Sequence, residues 1–245
     1  NIAIGRQALQ NNTTGTPNLA IGNSSLLTNT TTSNNLAIGI NALTLNIADS
    51  NLAIGHNSLD ANTSGTLNIA LGNNALGGNT TANNNIAIGN NALLVNNGNS
   101  NLAIGNSVLT ANTSGTNNIG IGLNALDSNT TSTDNIAIGV NALSSITTLG
   151  FTIAIGTNAL AASSTVTAAN NIAIGYFSNP VSTNSNDCIS IGRNSMLAAV
   201  NPSNVIAIGT SACAGTLGAG RTNIIGIGVS TLPNSTASNQ LAVGH

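Results

Sequence analysis

Lysine, glutamate and tryptophan are absent from this chain, and only 3% of its 245 residues are charged. The basic side chains are Arg6, Arg193 and Arg221, set against five scattered aspartates. A surface that tracks a phosphate backbone needs clustered lysine and arginine, so nucleic acid is excluded as a partner. The aromatics are Phe151, Tyr176 and Phe177, which is not the composition of an ordinary globular domain. Two cysteines, Cys188 and Cys213, supply neither a disulfide framework nor the clustered ligands of a zinc site, and they leave the redox compartment open. The apolar runs are a few residues long and bounded by Asn, Thr and Gly, far short of the roughly 20 residues that cross a bilayer, so no membrane insertion is expected. Calcium-binding repeats need regularly placed Asp, which is missing. His56 with Asp60 is the one close acid–base pair, and such a pair on a repeat surface is more often solvated than catalytic. Gly120-Ile121-Gly122-Leu123-Asn124-Ala125 matches a dinucleotide fingerprint in its letters but has no βαβ context. These absences predict no enzyme, no cofactor and no metal.

What is present is a repeat. Asn1-Ile2-Ala3-Ile4-Gly5 returns fifteen times, down to Gly244, and successive repeat glycines stand 16 or 17 residues apart except for two steps of 19. Low charge with abundant Asn, Thr, Ser and Gly also suits disorder, but here Ile, Leu and Ala recur in strict phase, as a repeat architecture requires. Numbered from its first Asn, one repeat reads N-[IL]-A-I-G-x-N-A-L-x-x-N-T-T-x-x-x. Aliphatic residues at positions 2 and 4 have the period of a β-strand with one face buried. Leu9 reads as the start of a second short strand facing the same interior, and Asn-Thr-Thr as the turn back. One such unit buries about three aliphatic side chains at roughly 1.5–3 kcal/mol each, too little against an ordering cost of about 1–2 kcal/mol per residue. Only stacking makes it stable. The fold predicted is therefore all-β, a parallel β-solenoid (β-roll or β-helix) of about fifteen rungs of 16–19 residues.

The packing residues are represented by Ala3, Ile4, Gly5 and Leu9. The glycine marks a left-handed conformation or a close neighbour. Position 3 holds nothing larger than Ala or Ser. With Ile2 and Ile4 facing inward, Ala3 faces out, and its size ceiling implies a second sheet or chain packed against it, most simply in an oligomer around a common axis. Residues 1–156 form the regular repeats, in three blocks of three rungs, and 157–245 a less regular continuation of the same solenoid. The block period records a duplication, or three rungs completing a turn about a threefold axis within one chain. The irregular part contains Tyr176, Phe177, Pro180, Pro202, Pro233 and both cysteines, and reads either as functional loops or as decay toward a joining region. The sequence begins at the first position of a repeat and stops one residue after a repeat glycine, which predicts a segment of a longer fibre.

Asn-Ile-Ala-Ile-Gly followed by Asn-Ala-Leu and Asn-Thr-Thr-Gly resembles the head repeats of YadA-like trimeric autotransporter adhesins, and more closely the longer Asn/Thr-rich repeats of phage and virus tail-fibre proteins. The resemblance covers essentially the whole chain, and the rung here is longer, richer in Asn and Thr and poorer in charge than an adhesin head. It implies a left-handed parallel β-roll, most often trimeric, displayed at a cell surface or on a virion and used for attachment. Self-association as a homotrimer or a head-to-tail filament, and a cell-surface glycan or protein receptor, are the partners expected.

Two groups of residues are candidates for function. Asn12, Asn29, Asn62, Asn79, Asn112 and Asn129 each stand in N-T-T or N-T-S, an N-glycosylation acceptor that would place a column of sugars along the repeats. The alternative is that Asn and Thr suit turns and that stacked Asn amides bond to one another. Position 6, just after the glycine, collects Arg6, His56, Tyr176, Arg193 and His245, either as a display surface for a ligand or, because Ile40, Leu123, Val140 and Val229 share the column, as a subunit contact. Thr pairs at rung spacing also suit ice binding, although they are interrupted in every third rung. The function expected is that of a structural and adhesive extracellular fibre.

Overall fold

In the computed structural model of the chain, residues 1–145, 147, 150–161, 169–179, 186–197, 202–215, 221–232 and 237–244 are described. His245, Pro180 and Pro233 lie outside them, as does most of what lengthens the two 19-residue steps. The chain divides into two compact units, Asn1–Asn118 and Ile119–His245. The first contains β1 (Ile2–Ile4), β2 (Asn18–Ile21), β3 (Asn35–Ile38), β4 (Leu52–Ile54), β5 (Ile69–Leu71), β6 (Ile86–Ile88) and β7 (Leu102–Ile104). The second contains β8 (Ile119–Ile121), β9 (Ile136–Ile138), β10 (Ile153–Ile155), β11 (Ile172–Ile174), β12 (Ile189–Ile191), β13 (Ser203–Ile208), β14 (Thr222–Ile227) and β15 (Gln240–Val243). Within each unit every strand pairs in parallel with the next one in sequence, so that Ala53 aligns with Ala70 and Ala154 with Ala173. The fold is a β-solenoid of rungs about one repeat long, as the period predicts. Because consecutive strands stack directly, one repeat closes one coil, and the three-rungs-per-turn alternative is overturned.

The strand faces are the reverse of the expectation. The central Ala or its equivalent is fully buried from Ala20 to Ala207, while the flanking Ile and Leu are half-buried or exposed. The alanine column points into the coil and the two aliphatic columns point away from it. The physical reason lies in the width of the interior. A Cβ placed on Gly226, at the central position of β14, would lie 2.6 Å from Cys213 Sγ and 3.0 Å from Thr231 Oγ1. Those side chains belong to positions 9 and 8 of the opposite wall, in the preceding and the same coil, so the size ceiling at position 3 comes from within the solenoid and not from a second chain.

Leu9 and its equivalents do face the interior, and Leu26, Leu43, Leu59, Leu76, Leu93, Leu109, Leu126 and Leu143 are fully buried. They do not begin a strand. Residues after the glycine run as bends and turns, and the leucines hold φ between 46° and 54°. The preceding position 7 is also left-handed, as at Asn57 and Asn74. A leucine in this region costs about 1–2 kcal/mol, and burial of its side chain returns roughly 1.5–3 kcal/mol. Glycine there would relieve the strain but leave the coil hollow. The repeat glycine is required twice over: Gly72 has φ +141, and a Cβ on it would meet the carbonyl oxygen of Gly89 at 2.3 Å.

The rest of the interior is amide. Asn18, Asn35, Asn51, Asn68, Asn85, Asn101 and Asn118 are buried at position 1. The Oδ1 of each repeat accepts the backbone N–H of the next, from Asn1 through Asn101, at 2.8–3.1 Å. Their amide N–H groups donate across the coil to the turn, as in Asn68 Nδ2 to Ala82 O at 2.8 Å. These bonds satisfy the backbone groups that a three-residue strand leaves over. In the second unit the column changes character. Cys188 takes the position of the Asn, its N–H still bonded to Asn171 Oδ1 at 3.0 Å, and Val205 and Ile224 follow it. With Met196, Ala207, Ala212 and Cys213 they form an apolar core. The described part of the looser sequence is thus a continuing coil whose interior has exchanged hydrogen-bonded amides for hydrophobic contact.

Candidate functional site

The outward face of the strands is the most extensive feature available to a partner. Position 2 supplies Leu19, Leu36, Leu52, Ile69, Ile86 and Leu102 in the first unit, each half-buried against its neighbours up the column. Position 4 supplies Ile54, 37% exposed, and Ile88, 38% exposed, among half-buried Ile21, Ile38, Leu71 and Ile104. The second unit repeats the arrangement, with Ile138 and Ile227 exposed. At one end of the first unit, Ile2, Leu19, Leu36 and Pro17 line a groove of about 510 Å³ together with Asn1, Asn18, Asn34 and Asn35. Isolated exposed aliphatics are ordinary on a protein surface, whereas a contiguous strip of them marks an interaction site.

The six sequon asparagines do not stand on the surface. Asn29, Asn62, Asn79, Asn112 and Asn129 are fully buried, and Asn12 is half-buried. In all six the amide nitrogen, the atom that would carry a sugar, donates to the turn carbonyl three residues on: Gly15, Thr32, Gly65, Ala82, Gly115 and Ser132. Asn62 and Asn79 also bond amide to amide, to Asn46 Oδ1 at 2.7 Å and Asn62 Oδ1 at 3.0 Å. The five buried positions have no space for a glycan, which corrects the expectation of a sugar column on them. The stack breaks on entering the third rung, where the amide of Asn96 turns to Gly98 O in its own shortened turn and leaves the Oδ1 of Asn79 without a partner, and it resumes on leaving it, with Asn112 Nδ2 donating to Asn96 Oδ1 at 2.6 Å. The hydroxyls of Thr13, Thr63 and Thr130 likewise donate to carbonyls of the following coil, so these three are not offered to a water lattice.

Position 6 is a true column on the surface. Arg6, His56, Tyr176 and Arg193 are exposed, and so are Ile40, Leu123, Val140 and Val229. Arg6 and His56 belong to the first unit and are separated by Asn23 and Ile40 in the column. His56 Nδ1 lies 3.4 Å from Asn73 Oδ1. Burial pushes the Asp60 carboxyl above its ordinary value, opposed by its hydrogen bonds with the backbone N–H groups of Asp60 and Ala61 and by the charge of His56. Tyr176 and Arg193 belong to the second unit and occupy consecutive coils.

Both cysteines are buried and unpaired, and burial pushes each thiol up to about 11, which keeps them protonated near neutrality. Among the described residues no group of three or more His, Cys, Asp or Glu is placed to hold a metal ion, and no helix is long and apolar enough to cross a membrane. Comparison with protein-family models, with curated proteins and with solved structures finds no match to this chain.

Proposed function

We propose that this chain is a structural and adhesive segment of an extracellular or virion fibre, in which copies associate through the outward aliphatic columns. The observation that carries the reading is the orientation of the strands. The coils of the first unit close their core with Ala, Leu and Asn and leave the two aliphatic side chains of each strand on the outward face. A solvated solenoid gains nothing from that choice, since Thr at the same positions would keep the strands and remove much of the exposed hydrocarbon. A second copy supplies a matching periodic surface, because its columns rise by the same step per coil. Low charge removes the repulsion that would hold two such surfaces apart. The resemblance to adhesin heads and tail fibres favours closure around a threefold axis, and a head-to-tail filament is the open alternative.

Native mass spectrometry of the purified chain tests this. An assembly of three chains is expected, and replacing Ile54 and Ile88 together with asparagine should weaken it by about 10-fold or more for each apolar side chain exposed to water. A wild-type chain that remains single at micromolar concentration would overturn the proposal. So would an assembly that the double variant leaves intact.

A further inference from the structure

We infer that Tyr176 and Arg193 form a binding spot for a carboxylate-bearing sugar, such as a uronic or sialic acid residue of a glycan chain; this rests on the adhesive reading above and identifies the ligand class that the fibre would meet. Strands β11 and β12 pair in register, and Asn194 N donates to Tyr176 O at 3.0 Å. The residues that follow the two repeat glycines therefore stand side by side on one corner, about 4.8 Å apart in backbone. Tyr176 is 53% exposed. Its ring meets Phe177 edge to face, with centroids 4.6 Å apart and an interplanar angle of 67°. Phe177 is half-buried and fixed at φ 50°, so the tyrosine ring is braced from within.

Arg193 is exposed beside it, and among the described residues no ion pair holds its guanidinium. Thr157 and Thr210 extend the same column on either side and add hydroxyl groups. The one tyrosine and one of three arginines of a chain with 1% aromatic and 3% charged residues thus meet at a single place. Tyr and Arg are the side chains that concentrate binding energy, one through an amphipathic ring and the other through paired N–H donors that match a carboxylate. A single cation on a ridge does not track a polyphosphate. It does fit one carboxylate on a ring whose apolar face can lie against the tyrosine.

The test uses the full chain with 3′-sialyllactose and trigalacturonic acid as probes and lactose as the neutral control, with binding followed by ligand-observed NMR. The wild type should bind at least one acidic sugar and not lactose. Arg193→Gln should weaken that binding about 10- to 100-fold, with Arg193→Lys between the two, and Tyr176→Ala should weaken it comparably. Circular dichroism and native mass, recorded on the same samples, should be unchanged. Absence of acidic-sugar binding by a wild type that still assembles would overturn this inference and leave the fibre reading standing. Variants that bind as the wild type does would also overturn it. So would a change in native mass on substitution, which would assign the pair to a subunit contact.

Discussion

Gly72→Ala is expected to be among the most damaging single substitutions in the first unit, at a cost of about 4 kcal/mol or more. Two effects add. At φ +141 an L-residue is strained whatever the space, and the new Cβ would sit 2.3 Å from the carbonyl oxygen of Gly89. That oxygen is backbone in the next coil, so relief requires opening the stack rather than turning a side chain. A Cβ on Gly55 would meet Gly72 O in the same way, at 2.3 Å, and the column has no slack on either side. Urea unfolding followed by circular dichroism measures the loss. Asn73→Ala, next in sequence and exposed, should stay within about 0.5 kcal/mol of the wild type. An equal, small effect of both variants would contradict the stacking geometry.

Asn68→Leu should cost about 3 kcal/mol although it adds hydrocarbon of similar size to a buried site. Asn68 Oδ1 accepts Asn85 N at 3.0 Å and Asn85 Nδ2 at 3.3 Å, and its own Nδ2 donates to Ala82 O at 2.8 Å. Leucine leaves the backbone N–H and the side-chain amide of buried Asn85 without partners, each at about 1–3 kcal/mol, and takes from Ala82 O one of its two donors, the other being Asn79 Nδ2; burial of the new side chain offsets part of this. The second unit shows the same position occupied by Val205 and Ile224, where the neighbours are apolar as well. The distinction is between a column exchanged together and one member exchanged alone. Amide hydrogen exchange at Asn85 should report the break directly, and a protection factor equal to that of the wild type would refute the assignment.

The architecture was legible because a 16–17-residue period has few physical solutions, and alternation at positions 2 and 4 identifies a strand. The direction of that strand was not. Aliphatic–Ala–aliphatic reads equally well with either face inward, and the usual preference for burying the larger side chains gives the wrong answer in a coil this thin. The size ceiling at position 3 held the needed information: the close neighbour it implies is Cys213 or Thr231 of the same solenoid. Leu9 misled for a related reason, since a lone apolar residue carries no period and a left-handed leucine is unusual enough that a strand is the simpler reading.

Position 12 was legible as a turn asparagine and ambiguous beyond that. An acceptor triplet and a buried amide stack use the same letters, and only the coil geometry separates them. Tyr176 and Arg193 were visible as members of a column, but their adjacency depends on the 17-residue step between Gly175 and Gly192 being in register, which an irregular region does not guarantee. The change from amide to apolar interior at Cys188 could have been found as the loss of Asn at position 1, a signal that the surrounding loosening of the pattern obscured.

The buried asparagine columns also govern how the coils respond to temperature. Exposing apolar surface on unfolding raises the heat capacity by about 0.45 cal/mol/K per Å², whereas exposing polar surface lowers it by about 0.26. Coils filled with amides, alanines and one leucine apiece release a mixture in which the two contributions oppose each other. Their heat-capacity increment per residue therefore falls below the roughly 12–15 cal/mol/K of ordinary domains. The stability curve of the amide-filled rungs is correspondingly broad, and they lose little of their hold on either cooling or warming.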